Sequence, residues 1–271
     1  MRNIKENLIW LGVVLGFLTT SIFISSCSNS TTSPATIQGQ MKVTMVDSPA
    51  GYDQINIVVT RVEVHKSGAD STSGWIVINN IPATYNLLTL RNGASVVLGN
   101  IALDIGHYTQ IRLILGAGSN IVVNGVAFSL DVASGTQTGI KLNHEFDIQA
   151  DVVYELMLDF NAEHSIVFTG AGQYMLKPVI RVVPVVISGT ISGIITPLNN
   201  EALVYVVSGT DTISTIEELI TGEFKLMAVI QGTYNVRIFS GNLAYNDTTI
   251  ANVIVVATHN TDLGTINLSH K

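Results

Sequence analysis

Apolar residues recur at every second position along much of this chain. Met41, Val43 and Met45 alternate with Lys42 and Thr44, and Ile55, Ile57 and Val59 alternate with Asn56 and Val58. Ile111, Leu113 and Leu115 alternate with Gln110, Arg112 and Ile114, and Tyr154, Leu156 and Leu158 with Glu155, Met157 and Asp159. A period of two puts one set of side chains on one face of a strand. Turn signals separate the runs: Ser48-Pro49, Ser67-Gly68, Asn92-Gly93, Asn124-Gly125 and Ser134-Gly135. Many short strands divided in this way predict an all-β protein made of antiparallel sandwiches or barrels. Residues 121–128 form the clearest hairpin, because Asn124-Gly125 suits a type I′ turn with positive φ at both central positions. Only Tyr85–Leu90 and Ser214–Ile220 look able to form a helical turn or two.

The segment Lys177–Pro184 carries Pro178 and Pro184, which exclude a central strand position and suit a sheet edge or an exit. A new series of strands starts at Val185. The expected architecture is therefore two antiparallel β-sandwich domains in tandem, residues 38–184 and 185–271. The second is close to the ~100 residues of a seven-stranded sandwich. No internal repeat relates the two parts.

Residues 1–26 follow a different pattern. Arg2 and Lys5 precede the apolar run Leu8–Leu18, and small and hydroxylated residues follow. This is the layout of a secretory signal peptide. A membrane-spanning anchor is the alternative, but the run is shorter than the ~20 apolar residues a span needs, and Thr19, Thr20 and Ser21 break it. Ile24-Ser25-Ser26-Cys27 resembles the lipobox of bacterial lipoproteins. That resemblance implies cleavage before Cys27 and lipidation of its sulfur, with the membrane as partner. Cys27 is the sole cysteine, so no disulfide can form within the chain. Residues 27–37 then comprise the lipidated cysteine and a flexible tether, since Ser28–Thr36 shows no apolar pattern. Ser28, Asn29 and Ser30 carry no charge, which resembles sorting to the outer membrane in a bacterium with two membranes. The expectation is an exported, lipid-anchored cell-envelope protein.

Charge narrows the choice of partner. The chain has 13 Lys and Arg against 20 Asp and Glu, a net charge of −7, and loss of Arg2, Lys5 and Glu6 moves it to −8. An acidic body without basic clusters is not a nucleic-acid binder. Charged residues make up only 12%, and Thr, Ser, Asn and Gly fill the polar positions, as in extracellular β-proteins.

Longer stretches carry two further resemblances. Gly39–Val43 leading to Asp47-Ser48-Pro49, Ile57–Val64, Trp75, Asn86–Leu90, Gly106–Arg112, Lys141-Leu142, Leu158–Ala162 with Ser165, and Tyr174–Pro178 together resemble the bacterial family known as domain of unknown function 4382. Asn86 and Asn161 stand where that family usually has Asp, which weakens any acidic site built on those positions. Gly189–Gly193, Pro197, Val204–Val206, Thr221–Leu226, Gly232–Val236 and Leu263–Leu268 resemble the carboxypeptidase regulatory-like domain, a transthyretin-like sandwich. Such modules are usually noncatalytic and are grouped with carbohydrate-binding-like folds. Related pilus domains crosslink a first-strand lysine to a last-strand asparagine. Asn267 is present here, but the first strand has no lysine, so no isopeptide bond is expected.

The candidate chemistry is sparse. Glu145, Asp147, Asp151, Glu155, Asp159 and Glu163 form an acidic run. Asp147 and Asp151 would flank a tight turn and could offer oxygens to calcium, although the same charges would also guard a strand edge. Asp47-Ser48-Pro49 with Asp53 reads as an oxygen-ligand loop or as an Asx turn. His144 points away from Glu145 and Asp147 if the segment is a strand. Glu163-His164-Ser165 has no nucleophile elbow around it. Tyr245-Asn246-Asp247 is the best local match to a sugar-binding surface, and Trp75 and Tyr234 read as core aromatics. No cofactor or catalytic residue is expected. The leading function is a noncatalytic binding, adhesion or structural role in the envelope, with a glycan or another envelope protein as possible ligand. A carbohydrate-binding lipoprotein is the alternative. A hydrolase would need a deep pocket with convergent carboxylates or a Ser–His pair.

Overall fold

The computed structural model describes residues 37–132 and 138–271. Cys27, the tether up to Thr36 and the Ser134-Gly135 turn lie outside these residues. The strands in chain order are β1 (Gln38–Asp47), β2 (Gln54–Lys66), β3 (Trp75–Asn79), β4 (Ala83–Asn86), β5 (Val96–Asp104), β6 (Gly106–Leu115) and β7 (Asn120–Val123). Next come β8 (Val126–Val132), β9 (Ile140–Ile148), β10 (Val153–Phe160), β11 (Ile166–Phe168), β12 (Tyr174–Leu176) and β13 (Ile180–Pro184). The remainder are β14 (Ser188–Thr196), β15 (Leu203–Ser208), β16 (Asp211–Ile216), β17 (Glu223–Ile230), β18 (Gly232–Phe239), β19 (Thr248–Val255) and β20 (Asn260–Asn267). Among the described residues no helix is long and apolar enough to cross a membrane.

Four sheets result. The first has the order β13-β10-β1-β5, and the second runs β11-β12-β8-β7-β2-β6-β9, with β3 and β4 also on β2. The third is β17-β14-β20 and the fourth β16-β15-β18-β19. The protein is all-β, as the alternation predicts. Among the described residues three pairs nevertheless run parallel: β1 with β10, β8 with β12 and β14 with β20. A parallel pair needs a long crossover, and sequence patterning does not distinguish it from an antiparallel one.

The alternating residues meet between sheets. Met41, Val43 and Met45 on the first sheet and Ile55, Ile57, Ile111 and Leu113 on the second are fully buried in one core. Burying each such side chain contributes ~1.5–3 kcal/mol. Ile191, Phe224 and Leu226 face Val204, Val206 and Val236 in a second core between the third and fourth sheets. A third, smaller cluster joins the two: Val46, Met157 and Val183 of the first sheet pack with Ala228, and Val185, Met227 and Ile230 surround them. The first sheet is thus covered on both faces, by the second sheet and by β17. Residues 36–271 form a single compact unit.

Local chemistry agrees with the turns. Asn124 and Gly125 have φ of 50° and 76° and close the β7–β8 hairpin. Pro184 ends β13, an edge strand. Asn86 caps a 3-10 turn, Leu87–Thr89, by accepting from Leu88 N. Two expectations fail. Ser214–Ile220 is the end of β16 followed by a turn, because the β-branched residues Thr212, Ile213, Thr215 and Ile216 favour a strand. Trp75 is half-exposed rather than core: the Arg112 guanidinium lies 4.0 Å from its ring centroid, and Arg112 pairs with the buried Glu63. Tyr234 is half-buried, and its hydroxyl donates to the Ile230 carbonyl at 2.8 Å.

Candidate functional site

β1 delivers Asp47 to the end of the first sheet, beside the third and fourth sheets. Its Oδ1 accepts from Ala162 N at 3.0 Å. Its Oδ2 is buried and has no hydrogen-bond partner among the described residues, and the same is true of Thr215 Oγ1. Both residues line one narrow cavity with Arg91, Asn92, Asp159 and Lys225. Burial pushes the Asp47 carboxyl up to about 8, the nearby Asp159 adds to this, and the Ala162 N–H and Arg91 oppose it. Burial also raises Asp159, against the pull of Arg181. Arg181 Nη2 reaches Asp159 Oδ2 at 2.6 Å and the Ala228 carbonyl at 3.0 Å, so one guanidinium clips β17 to the first sheet.

Asn92 makes the matching clip on the other flank. Its Oδ1 accepts from Lys225 N, and its Nδ2 donates to the Glu223 carbonyl at 3.1 Å and to Glu218 Oε1 at 3.3 Å. β17 is an edge strand, and the Asn92 amide satisfies part of its open edge as a neighbouring strand would.

Two recesses open on either side of these clips. One, of about 650 Å³, lies between Leu88, Thr89 and Arg91 and the residues Ser192, Glu218, Phe224, Lys225 and Asp262. The other, of about 320 Å³, has Ser48, Pro49, Asn161, Glu163 and His164 on one wall and Leu203, Tyr205, Thr212, Ser214 and Phe239 on the other. These volumes suit small-molecule sites. In the smaller recess the Tyr205 and Phe239 rings stack at 5.6 Å with 3° between their planes, and Phe239 is 45% exposed. Arg237 Nη1 donates to Tyr205 Oη at 3.4 Å. Asn161 Oδ1 accepts from His164 N at 3.1 Å and lies 2.9 Å from His164 Nδ1, which orients the imidazole. The open seam formed by these recesses is the candidate binding site.

Of the residues singled out by sequence, Asp47, Ser48, Pro49, Asp159, Glu163 and His164 border this seam, and the others lie elsewhere. Asp147 bonds His107 Nδ1 at 2.9 Å, with Glu145 3.9 Å from the same ring. Asp151 occupies a left-handed position, φ 58°, where the chain crosses from the second sheet to the first. Asp53 Oδ2 accepts from Gly125 N, whereas Asp47 bonds Ala162 N. Tyr245 is half-buried, with His270 edge-on to its ring at 5.4 Å. Asn246 Nδ2 donates to Ser269 Oγ at 3.1 Å and Asp247 Oδ1 accepts from Ser240 N at 3.1 Å, so the amide holds the segment after β20 and the carboxylate closes the β18–β19 connection. His144 stacks on Phe146, and burial lowers its pKa. Among the described residues no three His, Cys, Asp or Glu side chains are grouped to hold a metal ion.

Sequence reading missed the Tyr205–Phe239 pair. A signal was available: each aromatic falls on the polar phase of its strand, beside the buried Val204, Val206 and Ile238.

No curated protein matches this chain. Among solved structures it is similar to a chain of the type II cohesin–X-dockerin complex, N-terminal interface mutant, from Acetivibrio cellulolyticus, with 27% identity, 30% of this chain and 58% of that chain covered, and a TM-score of 0.25. It is also similar to GBS52, the minor pilin of Streptococcus agalactiae, with 10% identity, 85% and 96% coverage and a TM-score of 0.26. The Bacillus anthracis TIE protein gives 11% identity, 86% and 34% coverage and a TM-score of 0.23. The chain spans little more than half of the first of these. Residues 38–178, more than half of the sequence, match the family described as Domain of unknown function (DUF4382), and the protein belongs to that family.

Proposed function

We propose that this is a lipid-anchored cell-envelope protein with a noncatalytic binding role, and that the seam between the two pairs of sheets takes the ligand. The observation that carries the binding reading is the stacked, solvent-facing Tyr205–Phe239 pair opposite Asn161, Glu163 and His164. The chain is exported, cut before Cys27 and held by acyl chains on that sulfur, in the outer membrane of a two-membrane cell. The lipobox-like Ile24–Cys27 and the uncharged Ser28–Ser30 support this. Residues 38–184 and 185–271 are its two sandwich domains, the second of the carboxypeptidase regulatory-like kind, and the separate apolar cores support that division. Mass spectrometry of native protein should find a diacyl or triacyl Cys27. Cys27→Ala should leave an uncut precursor or a protein released from the membrane, and a processed variant retained on the membrane would contradict the anchor.

A glycan is the ligand class this seam favours over another envelope protein. Sugars offer flat C–H faces to exposed rings and hydroxyls to amides and carboxylates. The parallel Tyr205 and Phe239 rings provide the first, and Asn161 and Glu163 the second. A glycan array probed with the full-length protein in detergent should give hits that Phe239→Ala weakens at least tenfold, about 1.4 kcal/mol. Hits unaffected by both Phe239→Ala and Tyr205→Ala would place the ligand elsewhere.

A further inference from the structure

The end of the body where the chain arrives from residues 27–36 carries a row of exposed aliphatic residues. Ile37, Ile105, Val152, Val153, Val186 and Val256 are each between 41% and 64% exposed. Backbone bonds bring them to one end. Ile105 N donates to the Ile37 carbonyl, Asp151 N to the Gln38 carbonyl and Gln40 N to the Val152 carbonyl. Val152, Val153 and Val186 line one recess with Thr258, and Thr258 N donates to the Ser188 carbonyl. Val256 O lies against Gly189. The rim therefore crosses both pairs of sheets, at the end of β1 opposite Asp47.

We propose that this rim rests on the bilayer that holds Cys27, an inference that depends on the lipid anchor. Ten residue steps separate Cys27 from Ile37, which limits the reach to ~35 Å. A short leash keeps this end at the lipid surface and turns the Asp47 end, with the seam, outward. Exposed aliphatics on a protein held so close insert into the headgroup region, because leaving water is favourable in proportion to apolar area. A second copy of the chain is a poorer occupant. Asp104, Asp147, Asp151 and Glu145 outnumber His107 and Lys66 around the rim, and Lys42 is already paired with Glu155; two such rims would repel. The same excess of acid selects zwitterionic over anionic headgroups.

The test uses full-length, lipidated protein in phosphatidylcholine vesicles. Acylation leaves no thiol at Cys27, so Val186→Cys and, at the far hairpin, Val126→Cys can each carry a single fluorophore. Brominated phosphatidylcholine should quench the Val186 label at least threefold more than the Val126 label, and phosphatidylglycerol should reduce the difference. Equal quenching, or stronger quenching at Val126, with acylated Cys27 confirmed by mass spectrometry, would overturn the docking and leave the anchor standing. A free Cys27 thiol would remove the anchor and the docking together. Slower hydrogen exchange of residues 185–187 in vesicles than in detergent is a label-free check, and its absence counts against the docking.

Discussion

Asp47 is only 5% exposed, and one of its carboxylate oxygens is unpartnered. Its carboxyl titrates near 3.8 in an ordinary setting and near 8 here. Between these values the unfolded chain binds fewer protons than the folded one, so stability falls as pH rises through that window and is undiminished below it. Asp159, also raised by burial, contributes a slope of the same sign. Asp47→Asn keeps an acceptor for Ala162 N and cannot ionise. Relative to the parent it should gain stability as pH climbs from about 4 to 8, by about 2 kcal/mol or more at the upper limit, measured by urea unfolding at several pH values. A constant difference across the range would refute the assignment. Arg181→Ala should behave in the opposite way to a surface change: it strands a buried carboxylate and costs about 3–5 kcal/mol. At the same scale, Asn86 and Asn161 have a simple explanation. Both cap a helical turn through Oδ1, a task Asp and Asn perform about equally well, so an Asp at either position would leave the local backbone unchanged.

The elements show where patterning informs and where it stops. The alternation separates core from surface in residues 38–43 of β1, 54–60 of β2 and 106–113 of β6, where one face of the strand meets a single core, but not in β10, whose alternate residues Met157 and Asp159 are buried as well. The first sheet is covered twice, and there the period of two breaks down into runs such as Met45-Val46 and Val182-Val183. Those runs were legible as apolar but not as a second interface, since the covering strand β17 lies far along the chain. Asn92 illustrates the same limit. Asn92-Gly93 reads correctly as a turn, yet its amide bonds to β17 depend on which edge strand arrives beside it. Asn92→Ala should loosen the seam and cost about 1–3 kcal/mol through unpaired backbone groups on β17, while Asn92→Asp, which keeps Oδ1 but loses the donor, should recover only part of this. Chemical denaturation measures both. The Tyr205–Phe239 pair likewise depends on register: Leu203 faces Phe239 across the β15–β18 ladder, which sequence spacing alone does not specify.

For the whole molecule, the third cluster and the Arg181 and Asn92 clips bind the two cores into one cooperative body. Trp75 lies on β3, in the second sheet, and its fluorescence reports on the first core, whereas far-ultraviolet circular dichroism reports on all four sheets. The two should unfold at the same denaturant concentration. Separate midpoints in the parent protein would mean that the clips are too weak to couple the cores; coincident midpoints that split in Arg181→Ala would identify the guanidinium as the coupler.

The placement of β1 bears on how the chain reaches its folded state. It lies inside its sheet, between β5 and β10, with Gln40 opposite Val153 and Asp47 opposite Phe160. Closing so long a loop is slow, and no stretch ending before β10 can complete that sheet. A nascent molecule emerging amino terminus first therefore stays pliable until more than half of it is free. A fragment ending at residue 148 should accordingly remain unfolded by circular dichroism.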